Sequence, residues 1–573
     1  MSDDFSNIEG LFSDGDCFHS AVVTYLENEC RYIDEDIHAH ESMSDGEKES
    51  AGLLIRNATR IDGPEKDSVR YETPVNFTKL RPGDEVRILE PGTESDGRKV
   101  VVDENAIGEI SFTASCQNCV RGKFPEVVDI VVNEENNLDV LKSVVEDIKD
   151  GNRGVKFMEI LGGLGKPRME ARFGMITDFD DSEIPPSFNE KQRMAVRMAM
   201  RRPSVAYVLG TPGSGKTHLL SVVARGYARR SKDVVVLALT HQAVNNALNK
   251  VRKADKDIPV VKVGRLFKNH DLDDGVVQSE TFYGYLSERK NGGDFYGGAG
   301  HVVGMTFQAA LVNLGKSRSP FIPQIILFDE AGQVPLAHAV AVGAFGCGSV
   351  VFIGDDAQMP PIFHEKLRRD ALSVSVFEHV KRLYPDNGVV LDVTYRMNKT
   401  ISDFVGRNFY LPRDIKLSCS PESADRIIEN PSIEFVGCSS PSATDENGIE
   451  AAMAVKMVAK YIEMGVSYDR IAVITPYRRQ VRLVHRLLSD AWPKTEKQPL
   501  IDTVERLQGQ DVDVIVLTFA TDDEKFFNVQ KSFLLNLNRL NVMFSRATSK
   551  VVVIASQIVL DGLSSIVGFK EFV

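Results

Sequence analysis

Short runs of consecutive apolar residues recur through the last two thirds of the chain, separated by amphipathic stretches. Runs rich in valine and isoleucine are typical of parallel strands covered on both faces, because neither face of such a strand meets water. The runs are Val205–Leu209, Val234–Leu239, Ile325–Phe328, Val350–Ile353, Val389–Val393, Ile471–Ile474, Val514–Leu517 and Val551–Ile554. They are too many for one sheet of ordinary size, so the pattern predicts an α/β protein with two parallel-sheet domains divided near residue 368.

The first third of the chain has a different pattern of apolar and polar residues. Helical periodicity appears at Ser20–Cys30 and Glu47–Ala58, and from Val69 to Val132 short alternating segments are split by Pro-Gly and Asp-Gly turn signals. This alternation predicts a small β-barrel. The predicted organisation is an acidic N-terminal helical segment, a barrel, a helical linker or stalk, and two motor domains, with the ranges 1–68, 69–135, 136–186, 187–367 and 368–573.

Composition places the chain among globular proteins, with 43% hydrophobic and 26% charged residues in 573. The net charge of −13 is unevenly spread, because residues 1–50 hold 14 acidic and 2 basic residues. The remaining chain is therefore almost neutral, and the overall acidity does not exclude a nucleic-acid partner.

Seven cysteines form no disulfide framework, which favours a reducing compartment, cytoplasmic or nuclear. The pair Cys116 and Cys119 has CxxC spacing, but a zinc site needs four ligands, so two ordinary thiols are the favoured interpretation. No signal peptide is visible at the N-terminus. The apolar stretch Gln333–Gly354 contains a proline and four glycines, and it predicts a buried helix, a turn and a buried strand rather than a membrane span.

The strongest chemical signal is the segment from Gly210 to Thr217, which reads GTPGSGKT. It matches the phosphate-binding loop GxxxxGK[ST] in full, follows an apolar strand and opens a helix, as that motif requires. Its glycines allow backbone N–H groups to surround a phosphate at a helix N-terminus. Lys216 would place its charge beside the β- and γ-phosphate oxygens, and the hydroxyl of Thr217 would bind Mg²⁺. The motif predicts binding of ATP with Mg²⁺.

The second chemical signal is a pair of acidic residues, which narrows the possible reactions. The strand Ile325–Phe328 delivers Asp329 and Glu330 at its carboxyl end. Asp329 would hold the Mg²⁺ shell, and Glu330 would polarise an attacking water. A nucleotide kinase has no need of that second acid, because its nucleophile is another substrate. The pair therefore favours hydrolysis.

Further polar residues follow predicted strands in a fixed order. Asp355 and Gln358 come after Val350–Ile353, and Gln358 is placed to sense a γ-phosphate. Tyr395-Arg396-Met397 follows the strand Val389–Val393, assigned to the second half. Arg539 and Arg546 lie seven residues apart in a predicted helix and share one face. As a set, the arginines would give the second domain cations that face a triphosphate on the first.

In order and spacing, these motifs resemble the superfamily 1 helicases of the up-frameshift-like branch, which includes senataxin and the immunoglobulin-mu-binding helicase. The resemblance extends from about Phe188 to Ser556 and includes the DEAxQ, GDxxQxPP, YRM, QGxD and RLNVxxSRA motifs. The chain departs from the family at Gly332 of the DEAxQ box, where threonine or serine is usual. No departure removes a catalytic group, so we expect an active ATPase.

The resemblance implies a role for each matched residue. Gln192 would bind adenine, Tyr395 would stack on it, and Arg546 would be the arginine finger beside Arg396. The implied catalytic set is Lys216, Asp329, Glu330, Gln358, Arg396 and Arg546. The implied nucleotide-binding set is Gln192, Gly210, Gly213, Ser214, Gly215, Lys216, Thr217, His218, Tyr395 and Asp511, with Thr217 and Asp329 as ligands of Mg²⁺. The implied nucleic-acid contacts are Thr240, Val244, Thr306, Pro361 and Thr475.

The expected function is ATP-driven movement on single-stranded DNA or RNA, 5′→3′ by resemblance, with unwinding of duplexes by a monomeric motor. Two alternatives remain open at this point. A protein-directed ATPase would need neither Gln192 nor the YRM motif, and an ATP-switched binding module would hydrolyse ATP without unwinding. The choice between DNA and RNA depends on a few contacts to the 2′-hydroxyl and is not readable from the sequence.

Overall fold

A computed structural model describes residues 12–61, 68–73, 76, 78, 80, 84–91, 98–106, 109–113, 124–134, 136, 138–150, 154–169, 179–264, 271–281, 284–285, 287, 300–316, 321–491, 499–506, 511–566 and 569. The chain divides into two units by its internal contacts. One unit consists of residues 1–29 and 138–573, and the other of residues 30–137. Cys116, Cys119 and the Gln508–Gly509 pair lie outside the described residues.

The smaller unit contains a closed antiparallel barrel in the strand order β1-β2-β5-β4-β3-β6. Its strands are β1 Leu54–Arg60, β2 Ser68–Glu72, β3 Glu85–Leu89, β4 Arg98–Ala106, β5 Glu109–Thr113 and β6 Val127–Val132. Alternate residues such as Val86, Ile88, Val128 and Ile130 face inward and fill the barrel. The predicted barrel is confirmed.

The predicted start of the barrel is wrong by one strand. The sequence pattern predicts a helix over Glu47–Ala58, but the helix there, Asp45–Ala51, ends at Gly52, whose backbone is left-handed. Strand β1 follows at once, and its Leu54, Ile55 and Ala58 are buried. A left-handed glycine after the last helical residue is a common helix terminator, because glycine has no Cβ to strain that conformation.

The larger unit contains two parallel sheets, as predicted. The first is eight-stranded, in the order β10-β9-β11-β8-β12-β13-β7-β14, and the second is five-stranded, in the order β17-β21-β20-β18-β19. The strands of the first sheet are β7 Val205–Gly210, β8 Val234–Ala238, β9 Val260–Val263, β10 Val277–Ser279, β11 Val302–Thr306, β12 Ile325–Phe328, β13 Val350–Gly354 and β14 Gly388–Leu391. The remaining strands are β15 Val393–Thr394, β16 Ser418–Cys419, β17 Ile433–Cys438, β18 Ile471–Ile474, β19 Leu500–Asp502, β20 Val512–Thr518 and β21 Ala547–Ser556.

Helices cover both parallel sheets. The first third of the chain contains α1 Gly15–Glu41, α2 Asp45–Ala51, α3 Leu138–Asp150 and α4 Val155–Leu161, of which α2 belongs to the smaller unit. Those around the first sheet are α5 Glu190–Met200, α6 Lys216–Ala228, α7 His241–Ala254, α8 Phe307–Lys316, α9 Leu336–Ala339 and α10 Val376–Leu383. Those around the second are α11 Lys399–Val405, α12 Pro421–Ala424, α13 Gly448–Glu463, α14 Arg478–Ala491, α15 Glu524–Leu534, α16 Leu537–Ser545 and α17 Gln557–Ser564.

One strand is in a different sheet from the one predicted. The run near Val389 was assigned to the second parallel-sheet domain, but β14 pairs in parallel with β7 at the edge of the first sheet. The first sheet therefore includes residues beyond the predicted division at 368. Parallel pairing places the carboxyl end of β14 beside the phosphate-binding loop that follows β7, and the chain crosses to the second domain from there.

The stretch Gln333–Gly354 forms α9, a 3-10 helix over Val340–Phe345 and strand β13, as predicted. In the described part of the chain, no helix is both long and apolar enough to cross a membrane. In residues 12–51 the acidic N-terminal segment consists of α1, α2 and short connections, and the first part of α1 belongs to the larger unit. Its Phe18, Val22 and Leu26 are fully buried, and the Tyr25 hydroxyl lies 3.0 Å from Ser373 Oγ.

Candidate ATP site between two parallel-sheet domains

The phosphate-binding loop connects β7 to α6 at the carboxyl edge of the first sheet. Gly213 and Gly215 have positive φ values of 72° and 87°. A Cβ on Gly213 would lie 2.4 Å from Arg396 Cβ, so glycine is needed for this close approach. Lys216 Nζ donates a hydrogen bond of 2.6 Å to Gly210 O across the loop. The lysine side chain thus folds over the loop in the position where a phosphate would be surrounded.

Asp329 and Glu330 follow β12, which is separated from β7 by β13 alone. Burial, and then the neighbouring Glu330 carboxylate, raises the pKa of Asp329, and Lys216 opposes this shift. Glu330 has φ 54°, in the left-handed region that a residue with a Cβ rarely adopts. Such backbone strain is concentrated at functional sites, where the surrounding structure holds it in place. Asp329 is therefore buried near the loop lysine, and Glu330 beside it is partly exposed.

Two arginines come to this edge from residues beyond the first sheet. Arg546 directly follows the last residue of α16 and is only 4% exposed. Its Nη2 lies 3.4 Å from Gln358 Oε1. Arg396 donates from Nη1 to Ser545 O at 2.9 Å, and its Nη2 lies 2.6 Å from Asp511 Oδ1. The predicted residues Gln358, Arg396, Arg546 and Asp511 are thus brought together.

Burial, and then the nearby Arg396 guanidinium, lowers the pKa of Arg546 to about 10, while Glu330 and Asp511 oppose the shift. The expectation that Arg539 would face the triphosphate together with Arg546 finds no support in its contacts. Arg539 Nη1 lies 2.8 Å from Glu505 Oε1, and its guanidinium is 4.0 Å above the Phe533 ring.

Gln192 and Tyr395 lie beside the loop, and both side chains already have protein partners. Gln192 Nε2 donates to Ser214 O at 2.9 Å, and Gln192 Oε1 accepts from Asn189 N at 2.9 Å. The Tyr395 hydroxyl accepts from Asn189 Nδ2 at 3.0 Å, and the Tyr395 N–H donates to Gly213 O at 2.9 Å. In this structure both residues hold the loop, a role that the sequence analysis did not predict; their contacts to adenine remain predictions.

The site offers several buried polar atoms to an anionic ligand. Among the described residues, Ser214 Oγ, Arg396 Nε and Arg546 Nε have no hydrogen-bond partner. Buried polar groups normally have partners, so these three atoms, one in the phosphate-binding loop and two on arginines that approach it, fit a bound triphosphate. Thr217, in the first turn of α6, and Asp329 provide hydroxyl and carboxylate oxygens, the ligand type that Mg²⁺ takes.

The predicted contact of His218 with nucleotide finds no direct support. Its ring packs edge-on against Phe188 with 4.8 Å between the centroids. Burial, and then Lys250 and Arg225, lowers the pKa of His218. The described residues contain no cluster of three or more histidine, cysteine, aspartate or glutamate side chains that would form a separate metal site.

Three of the five predicted nucleic-acid contacts, Thr240, Thr306 and Thr475, lie at or just after the carboxyl ends of strands. The hydroxyls of Thr240 and Thr306 accept from Ala243 N and Ala309 N, both at 3.2 Å, and so start α7 and α8. Thr475 follows β18 and is buried, and its hydroxyl has no partner in the described chain. Pro361 is also buried.

Val244 differs from the other four. Its side chain is fully buried in the core of the first domain, where it offers no surface to a strand. A contact through that side chain is therefore wrong.

Three residues that the sequence analysis did not single out belong to the site. Lys250, on α7, lies within electrostatic range of Asp329, Asp511 and Arg396, and burial lowers its pKa. Tyr410 and Asn541 bind the loop that carries Gln358. Asn541 is part of RLNVxxSRA, so its motif was a usable signal. Lys250 and Tyr410 carry no local signal, because only tertiary packing brings them to this edge.

Two family matches cover this part of the chain. Residues 187–380 match a family described as an AAA domain, and residues 372–558 match a second family of the same description. Together they coincide with the two parallel-sheet domains described above. This part of the chain is thus similar to AAA domains, and the first of the two matched ranges contains the phosphate-binding loop.

Curated relatives match over a larger part of the chain. It is 28% identical over 422 residues to the DNA replication ATP-dependent helicase/nuclease dna2 of Schizosaccharomyces pombe, covering 67% of this chain and 28% of that protein. It is 24% identical over 546 residues to DNA2 of Gallus gallus, covering 89% and 52%. The chain thus spans about a quarter to a half of the length of these relatives.

Solved structures that match this chain include the Arterivirus nonstructural protein 10 (helicase). That match has a TM-score of 0.41 at 15% identity and covers 91% of this chain and 82% of the other. The same helicase in complex with DNA matches with a TM-score of 0.40 at 15% identity, covering 88% and 79%.

Proposed function

We propose that this protein is an ATP-dependent superfamily 1 helicase of the up-frameshift-like branch, which moves 5′→3′ on single-stranded nucleic acid and unwinds duplexes. One observation carries the proposal. Arg546, from the second parallel-sheet domain, extends to Gln358 of the first, beside the phosphate-binding loop and the pair Asp329 and Glu330. An ATP site completed by both domains couples hydrolysis to their relative movement, which is what a translocating motor needs.

The chain's own residues have distinct tasks in this proposal. Lys216 and the loop N–H groups bind the β- and γ-phosphates of the substrate ATP. Glu330 orients and polarises the attacking water, and Arg546 stabilises the charge that develops on the transferred phosphoryl group. Mg²⁺, held by Thr217 and Asp329, would supply further charge neutralisation on the phosphate oxygens.

The nucleic-acid substrate is supported by the relatives, whose names describe DNA replication helicase/nucleases. The low cysteine content fits a reducing compartment, so we place the protein in the cytoplasm or the nucleus. The partner in this proposal is single-stranded or tailed DNA or RNA, bound by a monomeric motor at the edge that carries Thr240, Thr306 and Thr475.

The deciding experiment is strand displacement with ATP on duplexes carrying a 5′ or a 3′ single-stranded tail, each in DNA and in RNA. We expect unwinding of 5′-tailed substrates by the wild-type chain. ATP hydrolysis without displacement of any substrate would refute the helicase and favour a module whose affinity for nucleic acid is switched by ATP.

Two variants test the hydrolytic assignment in the same assay. Lys216→Ala removes charge from the phosphates, so both nucleotide affinity and turnover should fall. Glu330→Gln removes only the water-polarising acid, so ATP affinity should remain while turnover is lost. Hydrolysis by Glu330→Gln at the wild-type rate would show that this acid has no part in catalysis.

A further inference from the structure

A buried hydrogen-bond network joins the loop after β13 to the second domain. Asp355 is its centre and accepts three hydrogen bonds within the protein. Ala357 N donates to Oδ1 at 3.0 Å, while Gln358 Nε2 and the Tyr410 hydroxyl donate to Oδ2 at 2.8 Å and 2.6 Å. Asp355 and Gln358 belong to the first domain, whereas Tyr410 comes from a π-helical turn, Gly406–Tyr410, of the second. π-Helical turns frequently occur at functional sites.

Helix α16 binds the same loop through two asparagines three residues apart, which therefore share a face of the helix. Asn541 Nδ2 donates to Ala357 O at 2.8 Å and to the Tyr410 hydroxyl at 3.0 Å. Asn538 Nδ2 donates to Asp356 O at 3.2 Å and also contacts Gln358 O. Three consecutive carbonyls of the loop are thus bound by one helix, and that helix ends at Arg546.

The donor and acceptor atoms of this network fix the orientation of the Gln358 amide. Asn541 uses one amide hydrogen on the Tyr410 oxygen, and Tyr410 gives its own hydrogen to Asp355. Asp355 then accepts from the nitrogen end of the Gln358 amide, because a carboxylate can only accept. With its nitrogen held by Asp355, Gln358 must turn its oxygen the other way. That oxygen is the atom 3.4 Å from Arg546 Nη2.

We propose that Tyr410 and Asn541 are positioning residues that orient Gln358 toward Arg546 and so connect the ATP site to the second domain. Among the described residues their side-chain hydrogen bonds go to Asp355, to Ala357 and to each other, and they act through Gln358. The inference rests on the proposed function, since it assigns them to hydrolysis that this site performs. Buried networks of this kind hold one arrangement strongly when all members are present and lose it when one donor is removed.

The test is Tyr410→Phe, which removes one hydroxyl from a fully buried ring and preserves its packing. The matched control is Tyr461→Phe. Tyr461 is also fully buried, and its hydroxyl donates to a carboxylate, Glu429 Oε2, at 2.9 Å, within the second domain. Both variants lose a hydroxyl that donates to a carboxylate, and Tyr410→Phe also loses the hydrogen bond accepted from Asn541. A general effect of removing a buried tyrosine hydroxyl should therefore appear in both.

The assay is a measurement of kcat and KM for ATP with saturating single-stranded oligonucleotide. Tyr410→Phe should lower kcat about tenfold, corresponding to one lost buried hydrogen bond to a charged group, with KM changed less than twofold. Asn541→Ala should act in the same direction. Tyr461→Phe should keep the wild-type kcat. An unchanged kcat in Tyr410→Phe, or an equal loss in Tyr461→Phe, would overturn the assignment.

A double variant tests whether Tyr410 acts through Gln358. In a Gln358→Ala background, Tyr410→Phe should lower kcat by less than a further twofold, because the group that it positions is gone. Independent additive losses would contradict the inference.

A crystal structure of Tyr410→Phe gives a readout that does not depend on hydrolysis: the Gln358 amide should turn away from Arg546. If it keeps its contact, the positioning role is refuted. If instead the wild-type chain hydrolyses no ATP, the proposed function fails, and the crystal structure still decides the orientation of Gln358.

Discussion

Replacing Arg546 should make the protein more stable and almost inactive. Its guanidinium is buried at 4% exposure, and burial together with Arg396 lowers its pKa from 12.5 to about 10. At neutral pH the side chain is charged in both the folded and the unfolded chain. A folded-state pKa that is lowered for a cation means that the charged form costs folding free energy at any pH below it. At 1.36 kcal/mol per unit, the cost is on the order of 3 kcal/mol.

Arg546→Met keeps a long, flexible side chain and removes the charge, so this cost disappears. We expect the free energy of unfolding to rise by up to about 3 kcal/mol, seen as a higher urea or thermal midpoint. Arginine fingers are worth roughly 10³–10⁵ in rate, so turnover should fall by at least about a thousandfold while ATP affinity stays near the wild-type value. Such opposite effects on stability and activity are typical of residues kept for function.

Arg546→Lys separates charge from geometry. Lysine keeps a buried cation, so it should bring little stabilisation, and it lacks the planar fork, so it should restore little activity. The assays are ATP turnover with saturating single-stranded nucleic acid, nucleotide affinity, and equilibrium unfolding. A destabilised Arg546→Met protein would show that the arginine holds the fold. A loss of turnover of about tenfold or less, far below a finger's usual contribution, would leave Arg396 as the cation that acts on the phosphate.

Two further predictions follow from the packing. Gly332→Ser should lower the free energy of unfolding by about 1–3 kcal/mol and slow ATP turnover, because a Cβ at Gly332 would lie 2.8 Å from Asp355 O. The control is Gly448→Ala, where a Cβ meets nothing within 4 Å, and equal effects of the two substitutions would refute this reasoning. Burial raises the pKa of Glu450 from 4.5 to about 7, although the N–H groups of Phe519 and Ala520 donate to it. The folded chain therefore binds this proton more tightly, and the associated stability, complete below pH 4.5, should be lost as the pH rises through 7. Urea midpoints between pH 5 and 8 should show a decline that Glu450→Gln flattens, and a decline of equal slope in the variant would assign it to other groups.

The sequence alone predicts the features whose physical cause is local. Val205–Leu209 reads as a strand because its residues are continuously apolar, and the glycines before Lys216 indicate a phosphate loop because the backbone there needs left-handed conformations. The pair Asp329 and Glu330 is predicted at a sheet edge because it directly follows an apolar strand. Resemblance to a family adds Arg396, Gln358 and Arg546, which the structure brings to the same edge.

Tertiary structure decides the features that depend on residues far apart in the chain. Strand β14 joins the first sheet because its partner is β7, about 180 residues earlier, and no pattern within β14 names that partner. Arg539 and Arg546 share a helical spacing, yet Arg539 binds Glu505 and only Arg546 reaches Gln358. Tyr410 carries no motif, and it enters the site because a hydroxyl buried opposite Asp355 must find an acceptor. The partner of a side chain is decided by the residues that the tertiary fold places beside it. Periodicity and motif spacing describe only residues that are neighbours along the chain.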